Sequence, residues 1–356
     1  MEITTFTHGP LTDGRADWRA GEMGDMTRWA YVLSDAEVKT LGHAMRQAQA
    51  DGIAIGELTK ARFPLPGMEA LLARILEEME TGRGLFLLRG FPVDRYSKDQ
   101  LRYLYVGLCQ HLGVAMAQSG GGDYLGDVRN LNVDVNSPRG RAYTSNQKLT
   151  YHSDQSDVVG LVVLRTAKEG GLSMLASALA IRNEIARIRP DLLEVLHQPF
   201  HWSWQEQQPP GAGPWYKAPI YAELDGRFSS FYIRTHIISA QRYEDVPRLT
   251  PQQIEAMDLI DSLAAHEDFN FSTMFQPGDM QFLNNHVILH SRTAFEDHDE
   301  PDRRRHLLRI WLSVPNSRAL HSSRVEFFRE TAAGAVRGGF TPRSVERLYE
   351  TTHSVT

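Results

Sequence analysis

The feature that most constrains this fold is a separation. His152-Ser153-Asp154 lies 138 positions before His290, and only a chain that folds back on itself can use the three side chains as one site. In an extended segment, residues two apart point to the same face about 6.6 Å apart, so His152 and Asp154 can both address one ion. His290 must then arrive from another strand. Its context, Phe282-Leu283-Asn284-Asn285-His286-Val287-Ile288-Leu289-His290, reads as a turn feeding a short buried strand, with Gly278-Asp279 as the preceding turn. Two imidazoles and one carboxylate have the composition of a facial site that holds iron(II) on one side and leaves the opposite positions open. His286, four residues earlier on the same segment, is expected outside that set.

His-x-Asp alone is weak in a chain with 14 histidines. The support lies downstream, in Arg303-Arg304-Arg305-His306-Leu307-Leu308-Arg309-Ile310-Trp311-Leu312. Arg303 and Arg304 read as a solvated turn. Arg309 stands inside an apolar strand-like run, where an arginine is rarely buried without an anion. Arg305 shares its strand parity. A guanidinium fork grips a carboxylate bidentately and stays charged, which suits a small dicarboxylate.

On these residues the chain resembles the iron(II)/2-oxoglutarate dioxygenases of the taurine dioxygenase (TauD/TfdA) and clavaminate synthase-like group. The metal motif is matched by Tyr151-His152-Ser153-Asp154 and the distal segment by Asn284-Asn285 and Val287-Ile288-Leu289-His290. The closing basic strand is matched by Arg304 to Arg309, a Gly-Gly-x-Ser element by Gly170-Gly171-Leu172-Ser173, and an early strand by Gly84 to Gly90. The likeness spans about residues 80 to 315. It implies that His152, Asp154 and His290 bind iron(II), with O2 as co-reactant. It also implies that Arg309 forms the main salt bridge to the distal carboxylate of 2-oxoglutarate, that Ser173 hydrogen-bonds the same end, and that Arg305 lies close by. Oxidation, usually hydroxylation, of a small molecule with release of succinate and CO2 is the implied reaction. Asn284 stands for the usual Asp, His286 for a common Arg and Ser173 for the commoner Thr; none of these removes a ligand.

Capping signals place helices. Ser34 with Glu37 three residues on is a capping box, Leu71, Leu72, Ile75, Leu76 and Met79 make a helical stripe, and Ser177–Arg189 and Thr250–Ala265 read as helices, the last with Pro251 at its start. Strand-like runs fall at Leu85–Leu88, Val158–Leu164, Phe228–Ile233, Met280–Leu283, Val287–His290 and Leu307–Val314. The expected class is mainly β with flanking helices (α+β), as a double-stranded β-helix, or distorted jelly roll. Because His152 and His290 must meet, residues 1–356 read as one domain. It has a helical N-terminal extension (1–80), a core (81–315) and a C-terminal extension (316–356).

Two inserts, about 118–150 and 202–217, are candidate lids over the substrate. Trp204 and Trp215 in the second, and Tyr232 and Arg234 further on, are the candidate substrate-facing residues. Arg234 reads equally as an anion binder or half of a structural salt bridge. With Lys+Arg at 38 against Asp+Glu at 44, no basic footprint for nucleic acid or anionic membrane is expected. The single cysteine, Cys109, excludes an internal disulfide and sits in an apolar helical pattern, as a packed thiol would. No apolar stretch approaches a membrane span. A cytoplasmic enzyme is expected, and a homo-oligomer is compatible with the sequence. Two readings of other classes stand beside this one: a zinc hydrolase using the same three ligands, and a non-catalytic binding protein on a jelly-roll scaffold.

Overall fold

The computed structural model describes residues 6–131 and 145–350. Its frame is a seven-stranded sheet in the order Ala30–Val32, Leu85–Arg89, Met280–Asn284, Val158–Arg165, His306–Ser313 and Val114–Met116, with Leu125–Val128 also paired to His306–Ser313. All its pairings are antiparallel except that of the first two strands. A three-stranded antiparallel sheet, Phe271–Thr273, Ser173–Ser177 and Ile288–Arg292, forms a second layer. With eight α-helices among the described residues, the class is α+β.

Side-chain alternation sorts the layers. In the strand His306–Ser313, Leu308, Ile310 and Leu312 pack with Leu41, Met45, Ile75, Leu104 and Leu108 from the helices Asp35–Ala50, Glu69–Glu80 and Lys98–Cys109. Leu307 and Trp311, of the other parity, pack with Leu175, Ile288 and Leu289 of the smaller sheet. Each fully buried aliphatic side chain contributes about 1.5–3 kcal/mol, so a one-residue slip of this strand would exchange its faces at high cost. That parity puts Arg309 between the sheets.

The helices start where their caps predict. Ser34 and Thr250 accept from the backbone N–H of Glu37 and Gln253, which reach back in turn. Cys109 is buried in its helix. The run expected as a strand over Phe228–Ile233 is divided: Arg227–Ser230 pairs with Tyr221–Leu224, and a short helix, Arg234–Ala240, follows at once. The second insert is also more regular than its Gly and Pro content suggested. Its ends form an antiparallel pair, Pro199–Ser203 with Trp215–Pro219, leaving the irregular part between them. The tip of the first insert, residues 132–144, lies outside the described residues. No helix among the described residues is long and apolar enough to cross a membrane.

Candidate metal and cosubstrate site

His152 and His290 meet across an isolated antiparallel bridge, with each backbone N–H donating to the other's carbonyl at 3.0 and 2.8 Å. One ligand atom each from His152, Asp154 and His290 lies within 4.8 Å of the others, the only such metal-binding group of three among the described residues. The ring centroids of the two histidines are 4.3 Å apart, and His290 Nε2 is 3.7 Å from Asp154 Oδ2. His286 is elsewhere, its Nε2 2.9 Å from Asp157 Oδ1.

The donor set fits a metal ion. His152 Nδ1 lies 2.9 Å from the Thr150 carbonyl, which can only accept; that nitrogen therefore carries a proton, which leaves Nε2 as the nitrogen that could bind a metal. Burial, with His152 and Arg309 nearby, drives His290 down to about 3 against the pull of Asp154, leaving a neutral imidazole near pH 7. Burial opposes ionisation of Asp154, yet Arg309, His290 and His152 outweigh it and hold the carboxyl below its ordinary range. Asp154 Oδ2 is buried without a hydrogen-bond partner, an arrangement that a cation would satisfy.

Neighbouring segments hold this group in place. The Asp154 backbone N–H donates to Asn285 Oδ1 at 2.9 Å, and the Asn285 amide donates to the Ser156 carbonyl. The C-terminal segment contributes directly. Gly339 N donates to the Gln155 carbonyl, and the buried Arg337 donates to Asp157 Oδ1 at 2.8 Å.

A pocket of about 560 Å³, counted to its open mouth, adjoins the three ligands. The large sheet lines it with Leu161, Gln281, Leu307 and Arg309, the small sheet with Ser173, His290 and Arg292, and Arg305 closes the wall. Arg309 Nη1 donates to Asp154 Oδ1 at 3.3 Å and its Nε to Gln118 Oε1 at 2.7 Å. Arg305 is buried, and its Nη1 has no partner among the described residues. Burial, reinforced by Arg292, pulls Arg305 down to about 9, and burial takes Arg292 down to about 10, both against the pull of Asp297. Ser173 Oγ donates to Gln281 Oε1 at 3.1 Å. Before it, Gly170 and Gly171 both have positive φ, and a Cβ on Gly170 would fall 2.2 Å from the Ala294 carbonyl, so the turn beside Arg305 demands glycine.

The four candidate substrate residues do not line this pocket. Arg234 forms ion pairs with Asp258 at 2.6 Å and Asp261 at 2.7 Å, the structural alternative for that residue. Tyr232 is buried, its hydroxyl 2.8 Å from Asp261 Oδ1. Trp204 stacks on Phe327 and packs at a tilt against Tyr216, and half-buried Trp215 donates to Asp245. Sequence reasoning missed Gln118, Gln281 and Arg292. Arg292 carried a usable signal, since it lies two residues after His290 on the same strand.

Residues 49–311 match the family described as taurine catabolism dioxygenase TauD, TfdA family. The chain belongs to that family. As a TauD/TfdA member it is an oxidoreductase, an iron(II)- and 2-oxoglutarate-dependent dioxygenase acting on a small molecule, and the zinc-hydrolase and non-catalytic readings give way. It is 31% identical to FR-33289 synthase of Streptomyces rubellomurinus, over 88% of this chain and 93% of that protein. A taurine hydroxylase-like protein, SAT17, of Stachybotrys chartarum is 28% identical, over 87% and 84%. Among solved structures, asparagine oxygenase with Fe(II), 2S,3S-3-hydroxyasparagine and succinate superposes with a TM-score of 0.62 at 16% identity, covering 80% of this chain and 93% of that one. The non-heme iron oxygenase OrfP with Fe and α-ketoglutaric acid gives 0.57 at 15%, covering 86% and 99%.

Proposed function

We propose that His152, Asp154 and His290 hold iron(II) and that 2-oxoglutarate lies along the adjoining pocket with its distal carboxylate at Arg305 and Ser173. The observation that carries this reading is the convergence of the three ligand atoms at a pocket whose wall holds a buried, unpartnered guanidinium nitrogen. The resemblance gave the main salt bridge to Arg309. The geometry favours Arg305 instead, because Arg309 is engaged with the proposed ligand Asp154, whereas Arg305, four residues earlier and just before the strand, has a guanidinium nitrogen without a partner among the described residues. The two facing sheets support a distorted jelly roll, and the ties from the C-terminal segment to Gln155 and Asp157 support one domain over 1–356. A cytoplasmic location agrees with the lone cysteine.

In this arrangement Thr150 fixes the His152 tautomer, burial keeps His290 neutral, and Arg309 keeps Asp154 ionised. Leu149, Leu161, Phe275 and Leu307 give the pocket its apolar lining. When bound, iron supplies oxygen activation, coupling decarboxylation of 2-oxoglutarate to succinate and CO2 with hydroxylation of the substrate. The chain contributes position and charge. The test is a screen of small molecules scored by oxygen-dependent succinate release with the iron-loaded enzyme. Stimulation by one compound, with its hydroxylated product and no stimulation in Asp154→Ala, is the expected result; product formation without 2-oxoglutarate overturns the reading.

A further inference from the structure

The cosubstrate end of the pocket holds two buried arginines. Arg292 and Arg305 both line it, and their guanidinium carbons lie 4.5 and 5.1 Å from the centroid of the Phe295 ring. Among the described residues no carboxylate lies within ion-pair distance of either guanidinium, and Asp297 acts on both only through its longer-range field. Asp297 is near, but it accepts from the Arg305 backbone N–H and leaves the guanidinium unpaired. Arg292 donates Nε to the Thr293 carbonyl and Nη2 to the carbonyls of Ser145 and Gln147. In register, Arg292 stands opposite Ser173, whose hydroxyl faces the same pocket. Asp297 acts favourably on both guanidinium groups, but one carboxylate cannot balance two buried cations, and buried charges are stable only when paired.

We propose that Arg292 is a second anchor for the distal carboxylate of 2-oxoglutarate, so that this carboxylate sits between two guanidinium groups and the site selects strongly for dicarboxylates. The inference rests on the cosubstrate reading above. Arg292 also joins that carboxylate to the path of the metal motif, because its Nη2 holds the backbone at Ser145 and Gln147, a few residues before His152. A bound anion would thereby order the segment that carries the first ligand.

A purely structural Arg292 would brace that segment and nothing more. The two roles separate when 2-oxoglutarate is compared with 2-oxopentanoate, which keeps the oxo acid and lacks the distal carboxylate. Dissociation constants for both are measured by anaerobic titration of the iron(II)-loaded protein, in the wild type, Arg292→Gln and Arg292→Lys. The expected result is a loss of about tenfold to a hundredfold in 2-oxoglutarate affinity in Arg292→Gln, with 2-oxopentanoate nearly unchanged and partial recovery in Arg292→Lys. Equal losses for both acids would overturn the proposal and leave Arg292 as a brace. Should the Arg292 variants fail to fold, Arg305→Gln decides the matter. With a second anchor present it keeps a preference of at least about tenfold for 2-oxoglutarate; with Arg305 acting alone the preference collapses to about one. Failure of the wild type to bind 2-oxoglutarate would instead remove the cosubstrate reading itself.

Discussion

Arg309 and Asp154 form a buried pair in which the guanidinium holds Oδ1 at 3.3 Å while Oδ2 faces His290 at 3.7 Å. One oxygen is thereby turned away from the ligand cluster and the other toward it. Asp154 needs this help because burial alone would raise its pKa.

Removing the charge in Arg309→Gln should therefore raise the Asp154 pKa. A carboxylate ligand must be ionised to bind metal, so the pH at which half the metal is lost on acidification should move upward. Iron(II) or cobalt(II) titrations between about pH 5 and 8 measure this. An unchanged midpoint would mean that the guanidinium does not act through Asp154.

Trp204 is placed to support the fold and lies outside the lining of the pocket beside His152, Asp154 and His290. It is buried against Tyr216 and Phe327. Trp204→Ala should cost about 3–5 kcal/mol in denaturant unfolding, with the ratio of product to succinate preserved in the folded fraction. Trp215→Ala should cost much less, since that ring is half-buried and its indole N–H meets Asp245 near the surface. Uncoupled turnover in a stable Trp204→Ala would restore the lid reading of the second insert.

Acid stability offers a separate check. His197 is buried, neither ring nitrogen has a hydrogen-bond partner, and Phe6 stacks on it at 4.1 Å. Glu223 lies 3.7 Å away, but burial together with Arg182 and Arg324 dominates and drives the imidazole down to about 3. The unfolded chain binds this proton near pH 6.5 and the folded chain does not. Stability from this residue is thus intact above about pH 6.5 and falls as the pH drops toward 3, at up to about 1.4 kcal/mol per pH unit. His197→Gln should flatten the unfolding free energy against pH by about one proton in that window. An unaltered slope would show that the imidazole titrates normally.

The clustering of His152, Asp154 and His290 was legible in the sequence because the donor types are set by the side chains, and a basic strand following a distant His pointed to one shared site. Helix starts were legible through local caps at Ser34 and Thr250. Arg234 was not, because the apolar Phe231-Tyr232-Ile233 imitates a strand, and its partners Asp258 and Asp261 lie on a helix whose packing no local pattern gives. The same limit hid the ring of Asp13, Glu80, Arg227 and Arg318, whose members come from four remote segments. The hairpin within the second insert was masked by the Pro and Gly between its strands. Assigning Arg305 and Arg309 required knowing which guanidinium already had a carboxylate ion-pair partner, and only the fold supplies that.

The most direct measurement is anaerobic calorimetry of 2-oxoglutarate binding to the protein with and without iron(II), repeated with Asp154→Ala. If His152, Asp154 and His290 carry the metal that receives 2-oxoglutarate, the iron-loaded wild type binds one equivalent per chain. Affinity should fall by at least about a hundredfold without iron, and Asp154→Ala should reproduce the iron-free result even when iron is supplied. Tight binding of 2-oxoglutarate by Asp154→Ala, or binding by the wild type that ignores iron, would contradict the assignment.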